Sequence, residues 1–273
     1  MFATTDRRVL FAGAALTLIA LVAWVGPVLS PFKADGIDWD HLAIGPDFAS
    51  AHWLGTDRLG RDLYVRTLEG VRLSLAIGLL ATAVSVIVGI AWGAIAGYAG
   101  GRIDSVMMRV VDVLFALPYI FIVIILTTLF ERGNIYVLFL AIGLVGWLTM
   151  ARIVRGQTLS LRHRAFIEAA IVGGARTGHI LARHVIPNVL GPVIVYAALI
   201  VPQMILFESF LSFLGLGVQE PMASLGTLIN EGAQEMESAP WMLLGPAAVL
   251  VALLILFNFL GDGLRDSLDK RND

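Results

Sequence analysis

Long stretches without a charged residue dominate the chain. Reading from one charged residue to the next, with His184 counted as charged, gives six long uncharged windows, at positions 9–32, 73–101, 113–130, 133–151, 185–207 and 238–261. About 20 helical residues at roughly 1.5 Å each match the ~30 Å hydrocarbon layer of a bilayer, and a helix satisfies its own backbone hydrogen bonds where water is absent. The pattern therefore predicts an all-α integral membrane protein with six transmembrane helices.

The charged segments between the windows predict loops and surface helices. Residues 30–53 combine Pro and Gly with several Asp residues, which is typical of an exposed outer loop. The charges of 58–72 recur every three or four residues, so this segment predicts an interfacial amphipathic helix with one charged face. We therefore expect residues 1–72 to form an anchor helix, an outer loop and the interfacial helix.

The remaining residues, 73–273, are expected to form a core of five further transmembrane helices. Two longer connections interrupt this core, a polar loop at about 155–187 and a second outer loop at about 208–237. With the N-terminus inside the cell, most of the 19 Lys and Arg residues fall on the cytoplasmic side, as the positive-inside rule requires. Both termini are then cytoplasmic, and the first window is an uncleaved anchor rather than a signal peptide.

Composition supports a membrane protein and excludes several other classes. Hydrophobic residues make up 58% and charged residues 15% of the chain, against roughly 45–50% and about 25% in soluble domains. A net charge of −2 supplies no broad basic surface, so nucleic acid is not an expected partner. The chain has no Cys, which excludes disulfides and Cys-ligated metals, and no His lies within the charge-free cores. We therefore predict no metal site.

The polar loop at 155–187 carries a distinctive pattern. Glu168 lies near a predicted helix start, where the positive end of the helix dipole favours an acid. Small residues follow it and allow another protein to approach the backbone closely. Pro187 opens the next span and disfavours helix in the residue before it, so we expect a short helix and the span to be separate rods.

This spacing resembles the signature of bacterial ABC importer permease subunits: Glu-Ala-Ala, three residues, Gly, nine residues, Ile-x-Leu-Pro. His184 occupies the position of the first Ile. The resemblance implies the type I importer permease fold, a bacterial inner-membrane location and a cytoplasmic coupling helix that docks on an ATPase subunit. The residues it assigns to ATPase coupling are Glu168, Ala169, Ala170, Gly174, Ala175, His184, Ile186 and Pro187.

Three further segments resemble the C-type permease subunit of dipeptide and oligopeptide importers. They are the segments 55–62 (GTDRLGRD), 212–217 (SFLGLG) and 257–269 (FNFLGDGLRDSLD). The branch implies a second homologous permease, two ATP-binding subunits, an outer substrate-binding protein and a peptide substrate as partners. A nickel or other small-solute importer permease of the same branch remains the alternative.

The absence of a nucleotide-binding motif bears on the energy source for transport. The sequence has no Gly-x-x-x-x-Gly-Lys-Ser/Thr phosphate loop, so we expect no bound cofactor and no enzymatic activity, with ATP and Mg²⁺ on the partner ATPase subunits. Secondary transporters commonly place ionisable groups in mid-membrane, whereas the six windows are uncharged. An ATP-independent carrier is therefore the weaker reading.

Three polar residues are candidates for the translocation path. Glu208 follows the fifth window directly, where it either snorkels outward or lines the path. Gln203 and Asn258 are the main uncharged polar residues of the fifth and sixth windows, and hydrogen bonds between helices explain them equally well. Near the third window, Asp112 is expected to pair with Arg109 of the same helix.

Overall fold

The computed structural model describes residues 7–130 and 134–269, and these residues form ten α-helices and one π-helical turn. The start of the fourth window and the last four residues lie outside the described residues. The elements are α1 Arg7–Leu29, α2 Leu63–Ala99, α3 Gly101–Ala116, α4 Tyr119–Leu129, α5 Ile135–Arg162, α6 Ala165–Val172, α7 Thr177–Ile180, the π-helical turn Leu181–Val185, α8 Ile186–Phe213, α9 Leu225–Gln234 and α10 Trp241–Asp269.

Within the described residues, five helical segments are long and apolar enough to cross a membrane: α1, α2, α5, the continuous segment Thr177–Phe213, and α10. Helices α3 and α4 meet this test together but bend by 82° between them. Counted as one bent span, they complete the predicted six. The continuous span predicted at 113–130 is wrong, because Pro118 lacks an N–H and holds Leu117 in an extended conformation (φ −77°, ψ 139°).

The separate interfacial helix predicted at 58–72 is also wrong. Residues 56–62 form a turn with Gly60 at φ 76°, and α2 begins at Leu63 and continues without a break to Ala99. Asp62 caps this helix, because its carboxylate accepts a hydrogen bond from the Val65 backbone N–H at 2.8 Å. The repeating charges belong to a loop followed by the first turns of a spanning helix, so the expected boundary after residue 72 falls inside α2.

A third difference concerns Pro187, which was expected to separate a short helix from the span. The chain is instead continuously helical over Thr177–Phe213, and the π-helical turn lies directly before the proline. A π turn is wider than an α turn, and it leaves room for the proline ring within the helix. The break lies earlier, at Gly174 (φ 77°), so only α6 is a separate short helix. We call Thr177–Phe213 the rod.

The core of the protein is the contact between α2, α5 and α8. Glycines of α2 let α5 approach its backbone: a Cβ on Gly93 would lie 2.5 Å from the Ala151 carbonyl oxygen. Such close backbone approach is the usual basis of helix association in membranes. Buried Ile167, Ile180 and Val185 belong to the same apolar cluster, so the segment around α6 is an extension of the core.

Helix α1 packs against α2, and one arginine of α2 also hydrogen-bonds to its backbone. Arg72 donates hydrogen bonds to the carbonyl oxygens of Ala23 and Trp24, both at 2.6 Å. Its guanidinium carbon also lies 5.1 Å from the centre of the Trp24 ring, within cation–π range. The other face of α1 packs against α10, where Val9 contacts the backbone at Gly263.

Candidate functional site

Helix α6 presents a surface that stays exposed among the described residues, 7–130 and 134–269. Glu168 lies in its first turn, as predicted, and Glu168 and Ala169 are both exposed. Ile171 and Val172 expose 51% and 88% of their surface, so they add apolar area to this surface. We call Glu168, Ala169, Ile171, Val172 and Gly174 the coupling surface.

The coupling surface is fixed to the core from behind. Ile167 is fully buried, and Ala170 and Ala175 are half-buried against the main apolar cluster. Helix α6 ends in a turn in which the Ala175 N–H donates to the Ala170 carbonyl and the Gly174 N–H donates to the Ile171 carbonyl, both at 3.0 Å. The positive φ of Gly174 makes this turn. Helix α6 is therefore packed against the core on one side and exposed on the other.

The second half of the predicted coupling motif lies on the rod. His184 and Ile186 are half-buried and Pro187 is exposed in the first turn of α8. The His184 ring lies 6.3 Å from the Phe166 ring of α6 and 6.0 Å from the His179 ring, measured between centroids. The two halves of the motif are thus neighbours in space, although only the first half forms the exposed helix.

Glu208 is buried inside the protein rather than placed beyond the end of a span. Helix α8 continues to Phe213, and Glu208 has no exposed surface. Its carboxylate accepts hydrogen bonds from the hydroxyls of Ser74 at 2.7 Å, Ser212 at 2.8 Å and Ser209 at 3.4 Å. We call these four residues the Glu208 cluster. Of the two alternatives for Glu208, snorkelling outward does not fit its burial, and lining of the path stays a prediction.

The Glu208 cluster joins several segments of the chain. Ser74 belongs to α2, and its Oγ also accepts the Leu225 backbone N–H at the start of α9. The Oγ of Ser212, on α8, accepts the Val218 backbone N–H of the connection that leads to α9. The cluster lies at the end of the rod away from α6, which we call the distal end.

The three predicted path residues differ in exposure. Gln203 is exposed on α8 and Asn258 is exposed on α10, whereas Glu208 is buried. The Asn258 amide donates to the Leu254 carbonyl of its own helix at 2.9 Å. Asp112 pairs with Arg152 of α5 at 2.8 Å, which corrects the predicted pair with Arg109.

Ion pairs at the distal end explain two arginines of the segment 58–72. Arg66 is 2% exposed and contacts Asp57 at 2.5 Å and Glu231 at 2.8 Å. Arg61 contacts Asp57 at 2.6 Å and Glu220 at 2.9 Å. Because Glu231 lies on α9 and Glu220 precedes it, these five residues, the distal network, join the loop before α2 to the segment between α8 and α10.

Sequence reasoning did not find the distal network or the serines of the Glu208 cluster. The charged residues were visible, but their helical spacing suggested one solvated face. Ser74 and Ser212 carry no charge and lie in apolar surroundings, so nothing nearby in the sequence marks them. The arginines of the Asp57–Arg66 segment did offer one indication. If one of them is buried, its charge requires an acidic partner, which can come from elsewhere in the chain.

The helices and the exposed α6 define the chain as a multi-pass membrane protein of the transport-permease class. Residues 89–273 match the family model described as "Binding-protein-dependent transport system inner membrane component". The chain belongs to this family. It has the type I ABC importer permease fold.

The relatives of this chain include permeases of oligopeptide and dipeptide transport systems. The chain is 56% identical, over 94% of its length and 85% of the relative's, to the oligopeptide transport system permease protein OppC of Escherichia coli strain K12. It is 42% identical to the dipeptide transport system permease protein DppC of Bacillus subtilis strain 168, covering 94% of this chain and 79% of that one.

The fold of this chain is similar to that of a solved structure. The superposition with a chain of the MetNI methionine ABC transporter in an inward facing conformation has a TM-score of 0.61 at 17% identity, covering 75% of this chain and 95% of that chain. This likeness concerns the fold alone.

Proposed function

We propose that this chain is the permease subunit of an ATP-driven importer that forms a path for oligopeptides or dipeptides together with a second, homologous permease. Two ATP-binding subunits and an outer substrate-binding protein complete the importer. It lies in a bacterial inner membrane with both termini in the cytoplasm and the distal end outside. The observation that carries this proposal is the 56% identity to an oligopeptide permease over nearly the whole chain.

The coupling surface is the contact with the ATPase. Its small residues allow close approach of a groove, and the exposed Ile171 and Val172 supply apolar area that is buried on docking. ATP and Mg²⁺ bind to the ATPase subunits and not to this chain. Each nucleotide state then acts through its different contact energy with the inward-open and outward-open conformations.

The rod gives this contact a mechanical role. It has 37 residues, which at roughly 1.5 Å each correspond to ~55 Å, more than the roughly 40–45 Å of a bilayer with its headgroups. His184, Ile186 and Pro187 at its start lie beside α6, and the Glu208 cluster holds its other end. A displacement of α6 therefore reaches the distal end through one continuous helix.

The proposal is tested by changing the coupling surface. Glu168→Lys or Gly174→Trp should abolish co-purification of the ATPase subunits and ATP-dependent peptide uptake in proteoliposomes. Asp35→Lys, a charge reversal on an exposed residue of the loop before α2, is the matched control and should keep ATPase binding. Normal uptake by the Glu168→Lys importer would contradict the proposed coupling role.

A second experiment separates the substrate classes and the energy source. Proteoliposomes that contain all subunits should take up labelled peptide, and nickel uptake without peptide uptake would favour the other importers of the same branch. The chain alone should transport neither. Uptake by the isolated chain without nucleotide would show a secondary transporter and refute the proposal.

A further inference from the structure

Two histidines and one aspartate converge in the loop between α1 and α2. Asp38 Oδ2 lies 2.9 Å from His41 Nδ1 and 3.3 Å from His52 Nε2, and the three atoms lie within 4.8 Å of one another. A tetrahedral zinc ion with bonds of about 2.0–2.1 Å places its ligand atoms ~3.3 Å apart. The two separations from Asp38 are therefore near those of such a site, and the third is at most 4.8 Å.

The surroundings of His52 provide a second, independent observation. His52 is fully buried, and each of its ring nitrogens faces a carboxylate oxygen: Nδ1 lies 2.8 Å from Asp62 Oδ2, and Nε2 faces Asp38. A neutral imidazole has one N–H and donates to only one of these acceptors. A cation at Nε2 satisfies both nitrogens, because Nδ1–H then donates to Asp62 while the Nε2 lone pair binds the ion.

We propose that Asp38, His41 and His52 bind a divalent transition-metal ion, with zinc as the natural occupant. Asp62 is the supporting carboxylate that orients His52, as carboxylates commonly do for metal-binding histidines. Two imidazoles and one carboxylate suit zinc and its neighbours in the first row, whereas calcium and magnesium prefer all-oxygen sites. Water completes the coordination.

The site is accessible to an ion from one side. The side chains of His41 and Asp38 are 40% and 28% exposed, so an ion reaches them from solvent. On the other side the Phe32 ring stacks on His52 with 4.1 Å between centroids and excludes water. This combination of one apolar wall and one open side holds the buried histidine rigid and leaves the exposed ligands free to close on the ion.

The bound ion would fasten the loop to the spanning helix. Asp62 is also the residue that caps α2, and the Asp38 N–H donates to the Gly60 carbonyl just before that helix. The Thr56 hydroxyl donates to the His41 carbonyl at 2.6 Å. A ligand that binds only the folded loop stabilises it in proportion to ln(1 + [L]/Kd), so zinc should raise its thermal stability.

The test uses the full chain in detergent, with any affinity tag removed and resident metal stripped with EDTA. Zinc is then titrated by calorimetry, and Co²⁺ is added separately to record the visible absorption of a tetrahedral site. We expect about one zinc per chain. His41→Ala should abolish this binding while leaving the fold intact, because His41 is only half-buried. His163→Ala removes an exposed histidine elsewhere and is the matched control, which should bind normally.

A second variant tests the supporting carboxylate. Asp62→Asn keeps the helix cap, since Asn also caps helices, and should weaken zinc binding about 10–100-fold. Zinc binding that is unchanged in His41→Ala, or absent from the unmodified chain, would overturn the proposal. So would a melting temperature that neither zinc nor EDTA changes.

Discussion

At the scale of single residues, the buried ionisable side chains at the distal end each have specific partners. The guanidinium of Arg66 lies between Asp57 and Glu231, and the carboxylate of Glu208 is surrounded by hydroxyls. Desolvation makes an unpaired buried charge costly, whereas paired groups in good geometry are tolerated. These contacts therefore matter more to stability than the exposed ion pairs nearby.

Arg66→Met should destabilise the protein strongly, because it leaves Asp57 buried with one fewer counter-charge. Removing one partner of a buried pair typically costs about 3–5 kcal/mol, whereas an exposed pair is worth about 1 kcal/mol or less. Arg58→Met is the matched control, since the Arg58 side chain is 70% exposed and pairs with Glu235. Thermal unfolding followed by tryptophan fluorescence compares them, and equal effects would contradict the structural importance of the distal network.

The turn after α6 depends on backbone conformation at one glycine. A Cβ on Gly174 would meet nothing within 4 Å, but its φ of 77° is unfavourable for other residues, so Gly174→Ala should cost about 1 kcal/mol. Gly178 lies in equally open space within a helix, and Gly178→Ala should be neutral or stabilising. Melting temperatures that fall equally in both variants would show that φ at Gly174 is not the cause.

At the scale of helices, the tightest requirement is the contact between α2 and α5. Gly93→Val should push the two helices apart, because even the Cβ would lie 2.5 Å from a carbonyl oxygen, and overpacking of this kind costs about 1–3 kcal/mol or more. Gly156→Val is the control on α5, where a Cβ meets nothing within 4 Å. A lower yield and melting temperature are expected for Gly93→Val alone, and wild-type behaviour would argue against this close packing.

The sequence predicted helices well where their signal was local. Runs without charge predicted the transmembrane helices, because crossing a bilayer requires a long, apolar helix whatever other helices it packs against. The errors occur where short-range rules compete with the rest of the fold. Pro118 breaks an apolar window that hydropathy alone leaves whole, and Pro187 fails to break a helix because the π-helical turn before it makes room.

At the scale of the whole molecule, the rod connects the coupling surface to the Glu208 cluster. If the rod transmits motion, Glu208→Ala should reduce ATP-dependent uptake more than it reduces ATPase binding, because it loosens the distal end and leaves α6 intact. Glu208→Gln keeps acceptor capacity for the serine hydroxyls and should retain more activity. Uptake and ATPase co-purification measured on the same proteoliposomes test this, and parallel loss of both would contradict the separation.

The candidate sites differ in how far the sequence reveals them. The motif around Glu168 is continuous, so its exposed short helix was predictable from spacing and small residues. The Glu208 cluster and the distal network combine residues far apart in the chain, such as Ser74 with Glu208 and Arg66 with Glu231. No periodicity within one segment indicates which distant partner will satisfy a buried polar group.

One detail of α1 has a consequence for how this helix is held. Pro27 lies inside α1 and has no N–H, so the carbonyl oxygen four residues earlier, that of Ala23, lacks its usual helical donor. This oxygen is one of the two that Arg72 engages. Pro27 thus leaves the Ala23 carbonyl without a donor in its own helix, and the guanidinium of Arg72 in the next helix supplies one. The hydrogen bond missing within α1 is replaced by a hydrogen bond that joins α1 to α2.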